Sequence, residues 1–290
     1  MIDFNKFCNS ETLYDIKNIN HVESDLYVKN GVMYKKMNLS YGQLDNKLNT
    51  INSLIDNKNV IDIEELVLPS GIVHIDRNSG VLIIKEKFIN NINFRYVLNS
   101  NLYSFSEKIE CFKQIGLILD KMKNVRDNTN IKDFYLCDLY TDNFILNTDT
   151  NRINVIDMDS CKINGNNNCS SYYLFENNVI DSVKKYKKKE LSWFTEYEIN
   201  ENTDILCYII MLISFISGCD INKININEFN NYMDYLVNFG LSNQLVSILA
   251  RIYSNDDNVN PYLLLDELNK YDSKKYVLKK IISNKCMKKY

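Results

Sequence analysis

The chain has 290 residues, which is enough for two lobes or domains with a large hydrophobic core. Its formal net charge of −3 gives no overall attraction to polyanions, so no specific nucleic-acid partner is expected. The eight cysteines contain no Cys-x-x-Cys pair, so zinc is not expected, and a reduced, cytoplasmic setting is the simplest expectation. The longest apolar run, 205–216, is too short to cross a bilayer, so no transmembrane segment is predicted.

The first 88 residues predict a small antiparallel sheet with one helix. The dipeptide Asn30-Gly31 indicates a tight hairpin, because both residues accept the positive φ angles of a type I′ turn. An amphipathic helix is predicted over 41–57, where leucine and isoleucine recur at helical spacing. The predicted strands are 26–29, 32–37, 65–68 and 81–84, the last two being joined through a turn at 76–80.

One stretch near the middle of the chain carries the residues suited to chemistry. Its apolar runs 144–146 and 153–156 flank a polar turn, which predicts a β-hairpin. Asp138 and Asn143 come before the first strand, and Asp157 follows the second. These side chains should therefore meet at one end of the hairpin, and their oxygen atoms suit a hard cation such as Mg²⁺.

Two predicted helices lie on either side of this stretch. An amphipathic helix over 106–123 precedes it, and a nearly all-apolar helix over 202–218 follows it. A helix that is apolar on all sides belongs at the centre of a domain. The rest of the chain predicts amphipathic helices at 227–239, 241–253 and 261–270 and a lysine-rich tail at 274–290.

The spacing from Asp138 to Asn143, followed by a hairpin and then Ile156-Asp157, resembles the catalytic and metal-binding loops of the protein-kinase superfamily. The helix before the catalytic stretch and the apolar helix after it stand where that family has its E and F helices. The resemblance implies an α+β, bilobal protein-kinase-like fold. A small antiparallel-sheet N-lobe would cover residues 1–88, and a mainly helical C-lobe would cover residues 89–290.

The resemblance also implies roles for individual residues. Asp138 would orient the acceptor hydroxyl or accept its proton, while Asn143 and Asp157 would bind Mg²⁺. Asp159 stands where the glycine of the family's Asp-Phe-Gly motif would be. It could be an additional metal ligand, as in small-molecule kinases of the aminoglycoside and choline type. Asp204 would support the catalytic loop by accepting hydrogen bonds from its backbone.

The ATP-binding residues implied by the resemblance lie in the N-lobe. Lys35 or Lys36, on the third strand, would hold the phosphates of ATP. Because a strand alternates its faces, only one of these lysines can point inward, and Lys35 is the preferred candidate. Glu86 would lie in the hinge between the lobes, where backbone groups would receive the adenine.

Three parts of the sequence depart from the kinase pattern. The segment 20–25 contains no glycine, although kinases have a glycine-rich loop at this position. The helix over 41–57 contains no glutamate to pair with the lysine, so that ion pair is either absent or supplied from outside the helix. Leu136 and Cys137 replace the histidine and arginine that precede the catalytic aspartate in kinases.

The expected function is an ATP- and Mg²⁺-dependent phosphotransferase that acts on a hydroxyl group. The long segment between Asp157 and about residue 197 favours a protein serine or threonine as acceptor, whereas Asp159 favours a small molecule. The basic run 184–189 could attract an acidic partner, although a solvated charged face is the simpler interpretation. The rival is a pseudokinase that keeps the fold as a binding or scaffold module, which the missing glycine loop and helix glutamate favour.

Overall fold

A five-stranded antiparallel sheet forms the N-terminal part of the computed structural model, which describes residues 14–15, 24–167 and separate positions between 204 and 247. The strands are β1 (Tyr14–Asp15), β2 (Ser24–Lys29), β3 (Val32–Asn38), β4 (Gly71–Asp76) and β5 (Val81–Lys87). Their spatial order is β1-β2-β3-β5-β4, so β3 lies in the middle of the sheet.

Two glycine turns set the register of this sheet. Asn30 and Gly31 have φ angles of 52° and 73°, and they join β2 to β3 as the sequence predicts. Gly80, with a φ of 69°, ends the turn between β4 and β5. A Cβ atom on Gly80 would lie 1.9 Å from the carbonyl oxygen of Leu39, so only glycine fits at this position.

Four helices connect the sheet to the rest of the described chain: α1 (Tyr41–Asp56), α2 (Lys58–Ile61), α3 (Phe94–Asn99) and α4 (Phe105–Asn128). The predicted helix over 41–57 is confirmed as α1. The predicted helix over 106–123 is confirmed as α4, which continues five residues further. It starts with a capping box in which Ser104 and Glu107 each bind the other's backbone N–H.

A second sheet carries the hairpin that follows α4. It contains β6 (Asn91–Asn93), β7 (Phe144–Asn147) and β8 (Arg152–Val155) in that spatial order. The side chain of Asn147 accepts hydrogen bonds from the backbone of Asp149 and Thr150, which shapes the turn between β7 and β8. The predicted hairpin is therefore confirmed. Two short strands, β9 (Lys162–Ile163) and β10 (Asn166–Asn167), pair further along the chain.

The prediction of a strand over 65–68 is wrong. Among the described residues, this segment makes a single β-bridge, between Leu66 and Val155. Its backbone follows β8 instead: Val67 donates to the carbonyl of Val155, and Val155 donates to the carbonyl of Glu65, both at 2.9 Å. The run is apolar because Leu66 and Leu68 are buried in the core, and β4 supplies the strand before the turn.

The two larger of the three clusters of buried side chains in the described part of the chain stabilise this architecture. The smaller cluster lies between α1 and the sheet, with Ile51 and Leu82 fully buried in it. The larger cluster surrounds α4, where the rings of Phe94 and Phe112 pack edge to face with centroids 5.2 Å apart. The helix α1 contributes to both clusters, because Leu54 belongs to the larger one.

Several predicted segments lie outside the described residues. These are the basic run 184–189, the helix at 261–270, the tail at 274–290, and all but separate positions of the helices at 227–239 and 241–253. The described positions between 204 and 215 are helical, as expected for the apolar helix. Within the described part of the chain, no helix combines the length and apolar character needed to cross a membrane.

Candidate active site

Asp138 and Asn143 are joined by hydrogen bonds in the loop before β7. The amide Nδ2 of Asn143 donates to the carboxylate Oδ2 of Asp138 at 2.9 Å and to the Asp138 carbonyl at 2.8 Å. Because both bonds use the amide nitrogen, the carbonyl oxygen Oδ1 is the atom of Asn143 with the chemistry of a cation ligand. The predicted pair therefore lies together, with Asn143 at the end of a short 3₁₀ turn over 141–143.

The side chain of Asp204 stabilises the backbone of the loop that carries Asp138. The carboxylate of Asp204 is buried and accepts hydrogen bonds from the backbone N–H groups of Leu136, at 2.7 Å, and Cys137, at 2.9 Å. Cys137 has a φ of 66°, an unfavourable conformation for a residue with a side chain. Charge-assisted hydrogen bonds from Asp204 stabilise this backbone, which is the contact implied by the kinase resemblance.

Asp157 follows β8 and lies beside Asn143. The backbone N–H of Ile156 donates to the carbonyl of Asn143 at 2.9 Å, so the hairpin brings the two residues together. Asp157 itself has a φ of 59°, a second non-glycine residue in the left-handed region at this site. Strained backbone of this kind is concentrated at functional sites in proteins.

Lys35 on β3 connects the sheet to this hairpin. Its ammonium nitrogen Nζ lies 2.9 Å from Asp157 Oδ1 and 2.7 Å from Asp159 Oδ1. Burial alone would lower the pKa of Lys35, but the carboxylates around it raise that pKa well above its usual value. Lys36 points to the other face of the sheet, where its ammonium nitrogen Nζ lies 3.9 Å from Asp25 Oδ2. Of the two candidate lysines, the structure thus places Lys35 at the site.

Asp159 has a different environment from the one predicted. Its side chain is fully buried, with Lys35 at one oxygen and Lys47 of α1 at the other, 2.8 Å away. Burial would raise the pKa of Asp159, but the two ammonium groups lower it far below its usual range. Both oxygens face lysines, so this geometry does not support the predicted role of Asp159 as a metal ligand.

Glu86 lies one residue before the end of β5, the strand that was expected to lead into the hinge. It faces the same side of the sheet as Lys35, since its register partner is Met33 and Lys35 pairs with Ile84. The residue is 1% exposed, and neither carboxyl oxygen has a hydrogen-bond partner among the described residues. Burial is the main cause that raises the pKa of Glu86 to about 8, so the group is mostly protonated at neutral pH.

Sequence reasoning missed Lys47. This lysine is buried and also lies 3.3 Å from the hydroxyl of Ser160. The signal was present, because Lys47 shares the apolar face of α1 with Leu44 and Ile51, three and four residues away. A lysine in the apolar stripe of an amphipathic helix is an exception that requires a buried partner.

The comparisons with known proteins identify the fold. No protein-family model and no curated protein matches the sequence. The structure is similar to the kinase domain of maize SIRK1 (sucrose-induced receptor kinase 1) bound to AMP-PNP. That similarity covers 93% of this chain and 96% of the maize chain, with a TM-score of 0.56 and 12% sequence identity. The chain therefore has a protein-kinase-like fold, and the predicted α+β, bilobal fold class is confirmed.

Proposed function

We propose that this protein is a phosphotransferase that uses Mg-ATP and transfers the γ-phosphate to a hydroxyl group of a protein serine or threonine. The observation that supports the proposal most directly is the ion pair between Lys35 and Asp157 beside the linked pair Asp138–Asn143. In a kinase-like fold these residue types at these positions hold phosphates, metal and acceptor. ATP as the donor is further supported by the bound AMP-PNP of the maize kinase domain.

The side chains at the end of the hairpin fit a magnesium ion. Asp157 offers a carboxylate and Asn143 offers its carbonyl Oδ1, and these are ligands that Mg²⁺ accepts together with water and phosphate oxygens. Among the residues that the structure describes, no group of three or more His, Cys, Asp or Glu side chains is arranged to hold a metal ion, so the proposed site depends on the Asn143 amide. When bound with ATP, Mg²⁺ supplies positive charge that neutralises the phosphates.

The chain's own residues would act mainly by positioning. Lys35 would move its ammonium group from Asp157 to the phosphate oxygens of ATP. Asp138 would orient the acceptor hydroxyl, whose oxygen attacks the γ-phosphorus while the bond to the β-phosphate oxygen breaks. The hydroxyl proton would pass to the Asp138 carboxylate, and ADP would leave. Asn143 fixes the Asp138 carboxylate through its 2.9 Å hydrogen bond.

The lobe boundary, acceptor and setting remain parts of this proposal. We place the N-lobe at 1–88 and the C-lobe at 89–290, so that the connection after β5 would receive the adenine. A protein acceptor is preferred to a small molecule because Asp159 is occupied by lysines and no longer argues for the small-molecule type. An acidic partner for the run 184–189 and a cytoplasmic setting are also parts of the proposal.

A pseudokinase is the second candidate function. The observation that favours it is the pair of salt bridges from Lys35 to Asp157 and Asp159. These salt bridges engage the ammonium group that would otherwise bind phosphate, and the segment 20–25 has no glycine to form a phosphate-binding loop. A protein of this kind would use the same fold to bind a partner without turnover.

The test measures the melting temperature with ATP, in Mg²⁺ and in EDTA, together with ADP release. A ligand that binds only the folded state stabilises it by about 2.7 kcal/mol at 100 times its Kd. We expect a Mg²⁺-dependent rise that is lost in Asp157→Asn. We also expect Asp138→Asn to keep the rise but to release ADP at least about 100-fold more slowly.

Two other outcomes are informative. A Mg²⁺-dependent rise with no ADP release above the Asp138→Asn background would favour the pseudokinase. The absence of any rise at millimolar ATP in the wild type would contradict nucleotide binding and with it the proposed function.

A further inference from the structure

We propose that Lys47 is a positioning residue for the nucleotide phosphates, because it fixes Asp159 and Asp159 in turn fixes Lys35. This inference rests on the proposed function, in which Lys35 holds those phosphates. The inference gives α1 a part in the site through the ammonium group of Lys47. In kinases the corresponding helix instead contributes the carboxylate of a glutamate.

The geometry connects three separate elements through one carboxylate. Lys35 comes from β3, Lys47 from α1, and Asp159 from the short 3₁₀ turn over Met158–Ser160. The two ammonium groups bind different oxygens of Asp159, at 2.7 and 2.8 Å, so neither displaces the other. A displacement of any one of the three side chains would therefore disturb the other two.

The charges in this group balance. Lys35 and Lys47 are positive, while Asp157 and Asp159 are negative, and the pKa of about 8 keeps Glu86 mostly uncharged at neutral pH. Because the lysines and Asp159 are buried, loss of one ammonium group would leave a carboxylate without full compensation. Lys47 is thus needed for the position of Asp159 and not only for the packing of α1.

Asp159 is the partner that Lys35 can keep when nucleotide binds. Asp157 has a side chain that is 25% exposed, and it is the residue proposed to turn toward the metal. Asp159 has no exposed side-chain surface and could reach a metal only by leaving both lysines. Asp159 therefore supplies the carboxylate that a glutamate of the corresponding helix provides in kinases, and Lys47 holds that carboxylate in place.

The first experiment measures the position of Lys35 without nucleotide. Full-length protein is treated with an amine-acetylating reagent, and modification of Lys35 is followed by peptide mass spectrometry. We expect several-fold faster modification in Lys47→Met and a rate near wild type in Lys47→Arg. Lys123→Met is the matched control, because Lys123 pairs with Asp127 on the exposed face of α4. Unchanged modification of Lys35 in Lys47→Met would overturn the inference.

The second experiment measures the Kd for Mg-AMP-PNP by calorimetry. Lys47→Met should weaken binding about tenfold, which corresponds to about 1.4 kcal/mol. In a Lys35→Met background the same change should have no further effect, since Lys47 acts through Lys35. A purely structural role would instead lower the melting temperature while leaving the Kd unchanged, and additive effects on the Kd would also contradict the inference.

A milder variant covers the case in which Lys47→Met does not fold. Ser160→Ala removes only the 3.3 Å contact of Lys47, and it should change Lys35 modification and the Kd in the same directions by smaller factors. If the wild type itself binds no Mg-AMP-PNP, the proposed function fails together with the nucleotide role of Lys47. The acetylation data then still decide whether Lys47 fixes Lys35, so the two failures are distinguishable.

Discussion

At the scale of single residues, Glu86 has an environment with a measurable consequence for stability. The charged groups around it are Lys35, Asp159, Asp157 and Lys47, and burial is the largest influence on its pKa. The folded-state pKa of about 8 lies above the ordinary value of 4.5 in the unfolded chain. Between pH 4.5 and pH 8 the Glu86 carboxyl is therefore protonated in the folded state and ionised in the unfolded state. Because the folded state binds more protons, the contribution of Glu86 to the free energy of unfolding falls as the pH rises from about 4.5 to about 8.

We predict that Glu86→Gln removes this dependence. The variant and the wild type should have similar stability near pH 5. The variant should become more stable relative to the wild type as the pH approaches 8, by at most about 1.4 kcal/mol for each pH unit. Urea unfolding at several pH values measures this difference, and taking the difference cancels the titration of other groups. A constant difference between pH 5 and pH 8 would show that Glu86 is already ionised in the folded protein.

Residue-level patterns in the sequence predicted part of the site. Strand alternation established that Lys35 and Lys36 point to opposite faces, and the structure places Lys35 inside. The partners of Asp159 could not be predicted in this way, because they come from β3 and from α1, more than 100 residues earlier in the chain. The one sequence signal for this contact is the spacing of Lys47, which lies on the apolar stripe of α1. A lysine at such a position needs a carboxylate partner.

At the scale of elements, two turns of the sheet differ in the space around their glycines. Gly31 and Gly80 both have positive φ, but a Cβ atom on Gly31 would meet nothing within 4 Å, whereas on Gly80 it would collide with the Leu39 carbonyl. We predict that Gly31→Ala costs about 1–2 kcal/mol from backbone strain alone. Gly80→Ala should cost about 1–3 kcal/mol more, since the backbone of Leu39 must shift.

Urea unfolding of the two variants separates these causes. The difference between their free energies of unfolding reports the steric contact, because the conformational strain is common to both. Equal losses would mean that the turn between β4 and β5 moves away from Leu39 without cost.

Element predictions succeeded where local chemistry decides the structure. The hairpin of β7 and β8 has polar turn residues between apolar runs, and α4 has its capping box and apolar stripe, so each is encoded within a short stretch. The segment 65–68 was misassigned because an apolar run has the same appearance whether it forms a strand or packs as an extended loop on a neighbouring strand. Its hydrogen bonds go to Val155, a partner that the local sequence does not identify.

At the scale of the whole molecule, α1 joins the two cores. Ile51 packs with the sheet in the smaller cluster, and Leu54, one turn later, packs in the larger cluster around α4. The larger cluster also takes Ile61, Leu66 and Leu68 from the N-lobe side of the proposed boundary. Because each core is incomplete without the same helix, we expect the described parts of the lobes to unfold together.

The prediction compares Ile51→Ala, in the smaller core, with Phe134→Ala, in the larger core; both side chains are fully buried. Each should lower the free energy of unfolding by about 2–5 kcal/mol, the cost of a large cavity. Leu117→Ala, on an exposed position of α4, should change it by less than about 0.5 kcal/mol. Amide hydrogen exchange then tests the coupling, since Ile51→Ala should reduce protection in α4 as much as in β3 and β5. Loss of protection confined to β3 and β5 would show that the sheet opens alone and that α1 does not couple the two cores.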